Sequence, residues 1–475
     1  MARPKFVLLP SHRPEAFAPL LGVAEYARVE VAARRAREQF EGRAIWHVSS
    51  TLRGGGVAEM LRSLLPYVRG AGVDTRWAVL REDPWFFRLT KRLHNNLHGD
   101  AGDGGPLEDA ERAVYEQTLA RSAAHFEGLI HAEDVVFLHD PQTAGLAPHF
   151  AALGATVVWR CHIGVDDPDE TALRAQRFLA PDVEAADLCV FSRRGLVWPE
   201  LDPDRCRVMA PSIDPFSPKN QELGADAVTA VLAAAGLTAE EADADPLFTR
   251  ADGSPRRVER RAEVIEDAPI PAGAKLVVQV SRWDRLKDPD GLLECMAGEL
   301  AGAVDVHLLL AGPDAAAVAD DPEGTFVWNE VCGHRGVLPQ EVRTRVHLAG
   351  LPMADLDENA AVVNAIQRRA DVVVQKSLAE GFGLTVAEAM WKRRPVVGSR
   401  IGGIGEQIVD GESGLLVDPR DPRELAGAVL GLLGDPVRAA RLGAAAHDRV
   451  RRHYLGIVRL AEYGELLGEL EAARA

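Results

Sequence analysis

The sequence predicts an α/β protein made of two doubly wound domains, and three observations carry that expectation. The chain has 475 residues, more than one hydrophobic core supports, so two domains of roughly 200 residues each are the natural division. Short apolar runs alternate with amphipathic helical stretches along most of its length. Those runs have the character of parallel strands buried on both faces and joined through helices.

Taken in order, residues 1–42 read as a mostly helical lead-in. A first domain, 43–212, has strands at 43–50, 74–80, 134–139, 155–162 and 186–192, with helices at 56–72 and 107–126 between them. The stretch "RVMAPSIDPFSPKN" (207–220), rich in Pro and Ser, reads as a hinge. A second domain, 213–455, repeats the rhythm with strands at 275–282, 306–312, 345–350, 370–377, 394–399 and 414–418. Its segment at about 240–265 is polar and charged, and reads as a surface insertion or lid-like arm. The tail 444–475 reads as helical throughout, with 456–475 returning to the first domain.

Composition narrows the function. Hydrophobic and charged fractions of 47% and 26% are those of a soluble globular protein. A net charge of −17 disfavours nucleic-acid and anionic-membrane partners, since phosphate backbones demand a basic face. Any phosphate-bearing ligand must then be held by a few local cations. Five dispersed cysteines, without a C-x-x-C pair, suggest buried thiols in a reducing compartment. The N-terminal apolar run is too short for a signal peptide, and no run approaches the ~18 residues of a membrane span. A cytoplasmic location is expected.

Ligands of open α/β sheets sit beyond the carboxyl ends of strands, and three loops there stand out. "STLRGGGVAEML" (50–61) places Gly54, Gly55 and Gly56 between a strand and a helix. That turn suits close backbone approach to a ligand, or a tight connection. It is neither a P-loop nor G-x-G-x-x-G. "VSRWDRLKDPDGLL" (280–293) carries Arg282 and Lys287, which suit a pyrophosphate clamp or surface pairing with Asp284, Asp288 and Asp290. "QKSLAEGFGLTVAEAMWKRRPVV" (375–397) holds Glu380 in a loop and Glu388 one turn inside a helix. Each carboxylate can accept two hydroxyl hydrogen bonds from a sugar or ribose. Glu388 could instead complement the helix dipole, which leaves Glu380, Gly381 and Gly383 unexplained.

Arg-x4-Lys followed by E-G-F-G-L-T-x3-E-A-M resembles the donor site of the family-four retaining glycosyltransferases, which have the GT-B fold of two Rossmann-like domains facing a central cleft. "GGIGEQIVDGESGLLVDPRD" (402–421) resembles the stretch that follows it, with Gly405 where many members carry proline. "STLRGGGVAEML", "WFFRLTKRLHNNLHGD" (85–100), "HDPQTAGL" (139–146), "WRCHIGVDDPD" (159–169), "APSIDPFSPKN" and "DDPEG" (320–324) resemble one branch, the trehalose glycosyltransferring synthases. The insertion at 240–265 departs from that branch.

The resemblance implies a reversible transfer of glucose from a nucleoside diphosphate glucose (UDP-, ADP- or GDP-glucose) to free glucose, giving α,α-trehalose. By it, Arg282 and Lys287 bind the diphosphate, Glu388 the ribose and Glu380 the donor sugar. The backbone of Phe382, Gly383 and Leu384 covers the diphosphate and sugar, helped by Gly55 and Gly56. His162 contacts the reacting sugar, and Gly54, His94, Asn95, His139 and Asp140 serve the acceptor. His162, Arg282, Lys287 and Glu380 are thus the catalytic set. No cofactor or bound metal is implied, Mg²⁺ entering at most as a stimulant, and Asp166–Asp167 reads as a solvated loop. A homodimer is compatible with it. The rival readings are a family-four enzyme with a sugar-phosphate or glycan acceptor, a GT-B nucleotide-sugar isomerase, and a non-catalytic nucleotide-sugar sensor.

Overall fold

A computed structural model describes residues 3–52, 56–303, 305–317 and 322–474. The chain divides into two compact units, residues 1–212 with 454–475, and residues 213–453.

The first unit contains β1 (Lys5–Val7), β2 (Ile45–Ser49), β3 (Thr75–Val79), β4 (Val135–His139), β5 (Thr156–Cys161), β6 (Leu188–Phe191) and β7 (Cys206–Val208). They form one seven-stranded sheet in the order β1-β3-β2-β4-β5-β6-β7. All neighbours are parallel except β1, which pairs antiparallel with β3 at the edge. The lead-in therefore supplies a sheet strand as well as the helix Val23–Gln39. Alternate residues of each central strand feed different cores. Val136 and Leu138 of β4 join Trp46, Val157 and Trp159 on one face, while Val135 and Phe137 join Ile45, Val158 and Tyr463 on the other. Both faces are covered, as continuous apolar strands require.

The tail is not one helix. It breaks at Tyr454–Leu455 into Pro436–His453, which stays in the second unit, and Gly456–Arg474, which packs in the first. Burial of Ile457, Tyr463, Leu466 and Leu467 anchors the latter.

The second unit contains β8 (Leu247–Thr249), β9 (Pro255–Arg257), β10 (Glu263–Ile265), β11 (Lys275–Val280), β12 (Val306–Pro313), β13 (Val346–Leu351), β14 (Val372–Gln375), β15 (Val396–Ser399) and β16 (Leu415–Val417). Its seven-stranded sheet runs β10-β13-β12-β11-β14-β15-β16, with β10 as an antiparallel edge. The 240–265 segment is accordingly not a free lid. It forms the β8–β9 hairpin and then β10. Arg250 makes a two-pronged contact with Asp355 at 2.7 and 3.1 Å. The buried Glu358 carboxylate accepts from the backbone N–H of Glu259 and Arg260, each at 2.6 Å, and pairs with the Arg260 guanidinium. Charge-assisted bonds to a buried acceptor fix the arm to the helix Leu356–Arg369. The Pro/Ser stretch is also ordered, beginning in β7 and ending with Asn220 buried against Lys392.

Candidate functional site

In each sheet the strand order reverses once, and the crevice beyond the carboxyl ends at such a reversal is where open α/β sheets take ligands. In the second unit the reversal lies between β11 and β14. The loops following those two strands carry Arg282, Lys287 and Glu380. Gln279, near the end of β11, stitches them together: its amide donates to Lys287 O at 2.8 Å and accepts from Lys376 N at 2.8 Å. Leu378 N donates to Leu286 O at 2.8 Å. The result places Lys287 Nζ 2.5 Å from Glu380 Oε2, with both side chains mostly buried. Of the acidic partners the sequence offered, Lys287 takes none. Arg282 does pair with Asp284, at 3.0 Å, and stays largely exposed. Asp290 meets His334 at 2.7 Å. Asp288 adopts φ +46 and ion-pairs with the buried Lys376 while capping Gly291 N.

Gly383 has φ +84, a conformation that costs an L-residue, and N-caps the helix Leu384–Trp391. The buried Phe382 precedes it, and its carbonyl accepts from the Gln407 amide at the end of the helix Gly402–Gln407. A Cβ on Gly403 would lie 2.4–2.7 Å from the Gly381 and Phe382 backbone, so only glycine permits this approach. Glu388 is buried one turn into the helix, with Lys219 Nζ 3.5 Å from Oε1.

In the first unit the reversal lies between β2 and β4. The glycine turn follows β2. Gly54 and Gly55 lie outside the described residues, and Gly56 opens the helix Gly56–Gly70. His139 ends β4, and His162 follows the adjacent β5. Their rings stack at 5.7 Å with His139 Nδ1 3.4 Å from His162 Nε2. His162 Nδ1 lies 3.0 Å from Ser192 Oγ, and His162 N donates to Asp140 Oδ1 at 2.8 Å. Asp140 is held at φ +61, strained backbone of the kind that collects at functional sites. Burial pushes its carboxyl up to about 7, opposed by the His162 N–H bond and by Arg160. Burial also holds His139 and His162 well below the ordinary imidazole range, aided by the charge of Arg160.

His47 joins this group without having stood out in the sequence. It lies inside β2, yet its Nδ1 is 3.2 Å from His139 Nε2 and its ring stacks on His139 at 5.5 Å. A histidine within an otherwise apolar, fully buried strand was the available signal. His94 and Asn95 lie near the end of the helix Pro84–Leu97, the first packed on the His98 ring at 5.1 Å, the second beside Gly102. Their neighbour Asn96 is completely buried, and neither of its amide atoms has a hydrogen-bond partner among the described residues. Asp166 is not simply solvated, because it ion-pairs with the buried Arg193. All five thiols are free, with Cys206 and Cys332 only half-buried. Among the described residues no group of three or more His, Cys, Asp or Glu could hold a metal ion, and no helix is long and apolar enough to cross a membrane.

Comparison with known proteins agrees across both units. Residues 47–197 match the family described as trehalose synthase, N-terminal domain, and residues 260–449 match glycosyl transferases group 1. The trehalose synthase of Pyrococcus horikoshii is 34% identical over 456 residues, 96% of either chain. That of Rubrobacter xylanophilus is 34% identical over 434 residues, 90% of either chain. Among solved structures, an α,α-trehalose-phosphate synthase (UDP-forming) from Burkholderia vietnamiensis aligns with a TM-score of 0.65 at 16% identity, over 90% of this chain and 97% of that one. That likeness shows the fold, GT-B.

Proposed function

This chain belongs to the trehalose synthase family of GT-B glycosyltransferases, and from that premise we propose that it moves glucose, with retention, between a nucleoside diphosphate glucose and free glucose to make and break α,α-trehalose. The observation that carries the reading is the Lys287–Glu380 pair, set by Gln279 at the strand-order reversal of the second unit. A bound donor separates the pair. Lys287, with Arg282, neutralises the diphosphate, and Glu380 turns to the sugar hydroxyls. Glu388 takes the ribose, the N–H groups around Phe382, Gly383 and Leu384 cover the phosphates, and His139, Asp140 and His162 serve the sugars.

The bond from anomeric carbon to diphosphate breaks as the anomeric hydroxyl of glucose attacks on the same face. The proton of that hydroxyl passes to the departing phosphate oxygen. Stabilising charge on the leaving group is then the main demand on the protein, met by fixed cations and N–H groups.

The test is to incubate the purified protein with UDP-, ADP- or GDP-glucose, with and without glucose. Nucleoside diphosphate release is followed and the product read by proton NMR. Glucose-dependent release with a single symmetric α-anomeric signal is expected. No release with glucose and any donor overturns the acceptor assignment. Glucose 1-phosphate formed from trehalose and inorganic phosphate, without nucleotide, would instead align the chain with trehalose phosphorylases; the one from Pleurotus pulmonarius is 27% identical over 85% of this chain.

A further inference from the structure

Three imidazoles, on β2, at the end of β4 and just after β5, form one unbroken row. His47 Nδ1 faces His139 Nε2 at 3.2 Å, His139 Nδ1 faces His162 Nε2 at 3.4 Å, and His162 Nδ1 faces Ser192 Oγ at 3.0 Å. Each contact joins an Nδ1 to the next group in the same sense. A neutral imidazole has one N–H and one bare nitrogen, so fixing the proton on one ring fixes it on all three.

The far end decides the direction. His47 lines an apolar cavity of about 80 Å³, bounded by the sheet and by the helices Val23–Gln39, Gly56–Gly70 and Gly456–Arg474. Its only ring hydrogen bond among the described residues is the one at Nδ1. A proton on His47 Nε2 would have no acceptor among the described residues, whereas a bare nitrogen there leaves no donor unmet. At the near end the Ser192 hydroxyl can accept a hydrogen bond and rotate its own proton away.

We propose that His47 is a positioning residue and that the row holds His47, His139 and His162 as Nδ1–H tautomers with their protons directed toward Ser192. The proposal rests on the reading of His139 as an acceptor-side residue and of His162 as a contact of the reacting sugar. Its chemical consequence is specific. His162 Nε2 is occupied by the His139 N–H, so His162 is not the base that takes the acceptor's proton.

The test uses the full chain labelled with ¹⁵N-histidine, each resonance assigned by single substitution, without substrate. All three residues are expected to show a protonated Nδ1 and a pyridine-type Nε2. His47→Phe removes the donor to His139 Nε2, which is then left bare against the phenyl ring, so His139 is expected to stay Nδ1–H while its Nε2 signal moves to that of a pyridine-type nitrogen without a hydrogen bond. In assays, kcat falls on the order of tenfold with little change in KM for the nucleotide sugar. His47→Asn, whose amide nitrogen occupies the Nδ1 position, is expected to restore the His139 Nε2 signal and turnover. An Nε2–H form at any of the three in the unsubstituted protein overturns the proposal, as does an unmoved His139 Nε2 signal in His47→Phe. If His47→Phe does not fold, the unsubstituted protein and His47→Asn still decide it. Because the spectra need no substrate, they separate failure of this proposal from failure of the proposed reaction.

Discussion

Lys287 and Glu380 are 93 positions apart and meet only because two loops are joined by backbone and amide bonds. Removing the cation should cost what one preorganised donor contributes to a developing anion, about 2.7–4 kcal/mol, or roughly 10²–10³ in kcat. Lys287→Ala is therefore expected to release nucleoside diphosphate that much more slowly, and to lower the melting temperature because Glu380 stays mostly buried without its cation. Asn96 is the opposite kind of residue. A buried amide without partners destabilises the fold, so Asn96→Leu is expected to raise stability by about 1 kcal/mol. If the amide is kept for the acceptor, as its place beside His94 and Asn95 near the end of the helix Pro84–Leu97 would have it, the same change raises KM for glucose. Thermal unfolding and acceptor titration read the two effects separately.

At the scale of elements, the parallel strands carry a pH signature. Burial, with Arg160 adding to it, depresses the imidazole of His47 to about 3; His139 and His162 are depressed in the same direction, with Arg160 again contributing. An unfolded histidine binds a proton near 6.5, while these stay neutral in the fold. The unfolded state then binds more protons, and stability present above pH 6.5 is lost as pH falls, for His47 down to about 3. His347, likewise held to about 3 by burial, adds to the trend, and Asp140, raised to about 7, opposes it because its protonated form favours the fold. Urea midpoints measured from pH 7 to pH 5 are expected to fall, and to fall less steeply in His47→Phe, by up to one proton.

The same elements show what the sequence could reveal. Runs such as 134–139 and 370–377 announced β4 and β14 because a strand buried on both faces needs no alternation. Lys5–Val7, Cys206–Val208 and Glu263–Ile265 escaped notice because three-residue edge strands carry little local signal. Glu380 and Lys287 stood out as candidate ligand groups from their loops, but their mutual contact was not legible. His47 was hidden for a related reason: its neighbours are set by the lateral order of β2, β4 and β5, which no local pattern encodes.

At the scale of the molecule, the first unit is discontinuous in sequence, closed by the helix Gly456–Arg474. Four buried side chains of that helix, Ile457, Tyr463, Leu466 and Leu467, contribute roughly 1.5–3 kcal/mol each to the unit that receives them. A chain ending at His453 is expected to lower the unfolding transition of residues 1–212 by more than about 10 °C and to leave that of residues 213–453 in place. Calorimetry combined with hydrogen exchange distinguishes the two. This arrangement also bears on biosynthesis. On the ribosome, the whole of residues 213–453 is made before the helix that seals the first unit emerges, so the early-made half waits with Phe137 and Ile45 uncovered while the later-made half can already fold. A nascent chain of this protein is thus most in need of chaperone protection on the part synthesised first.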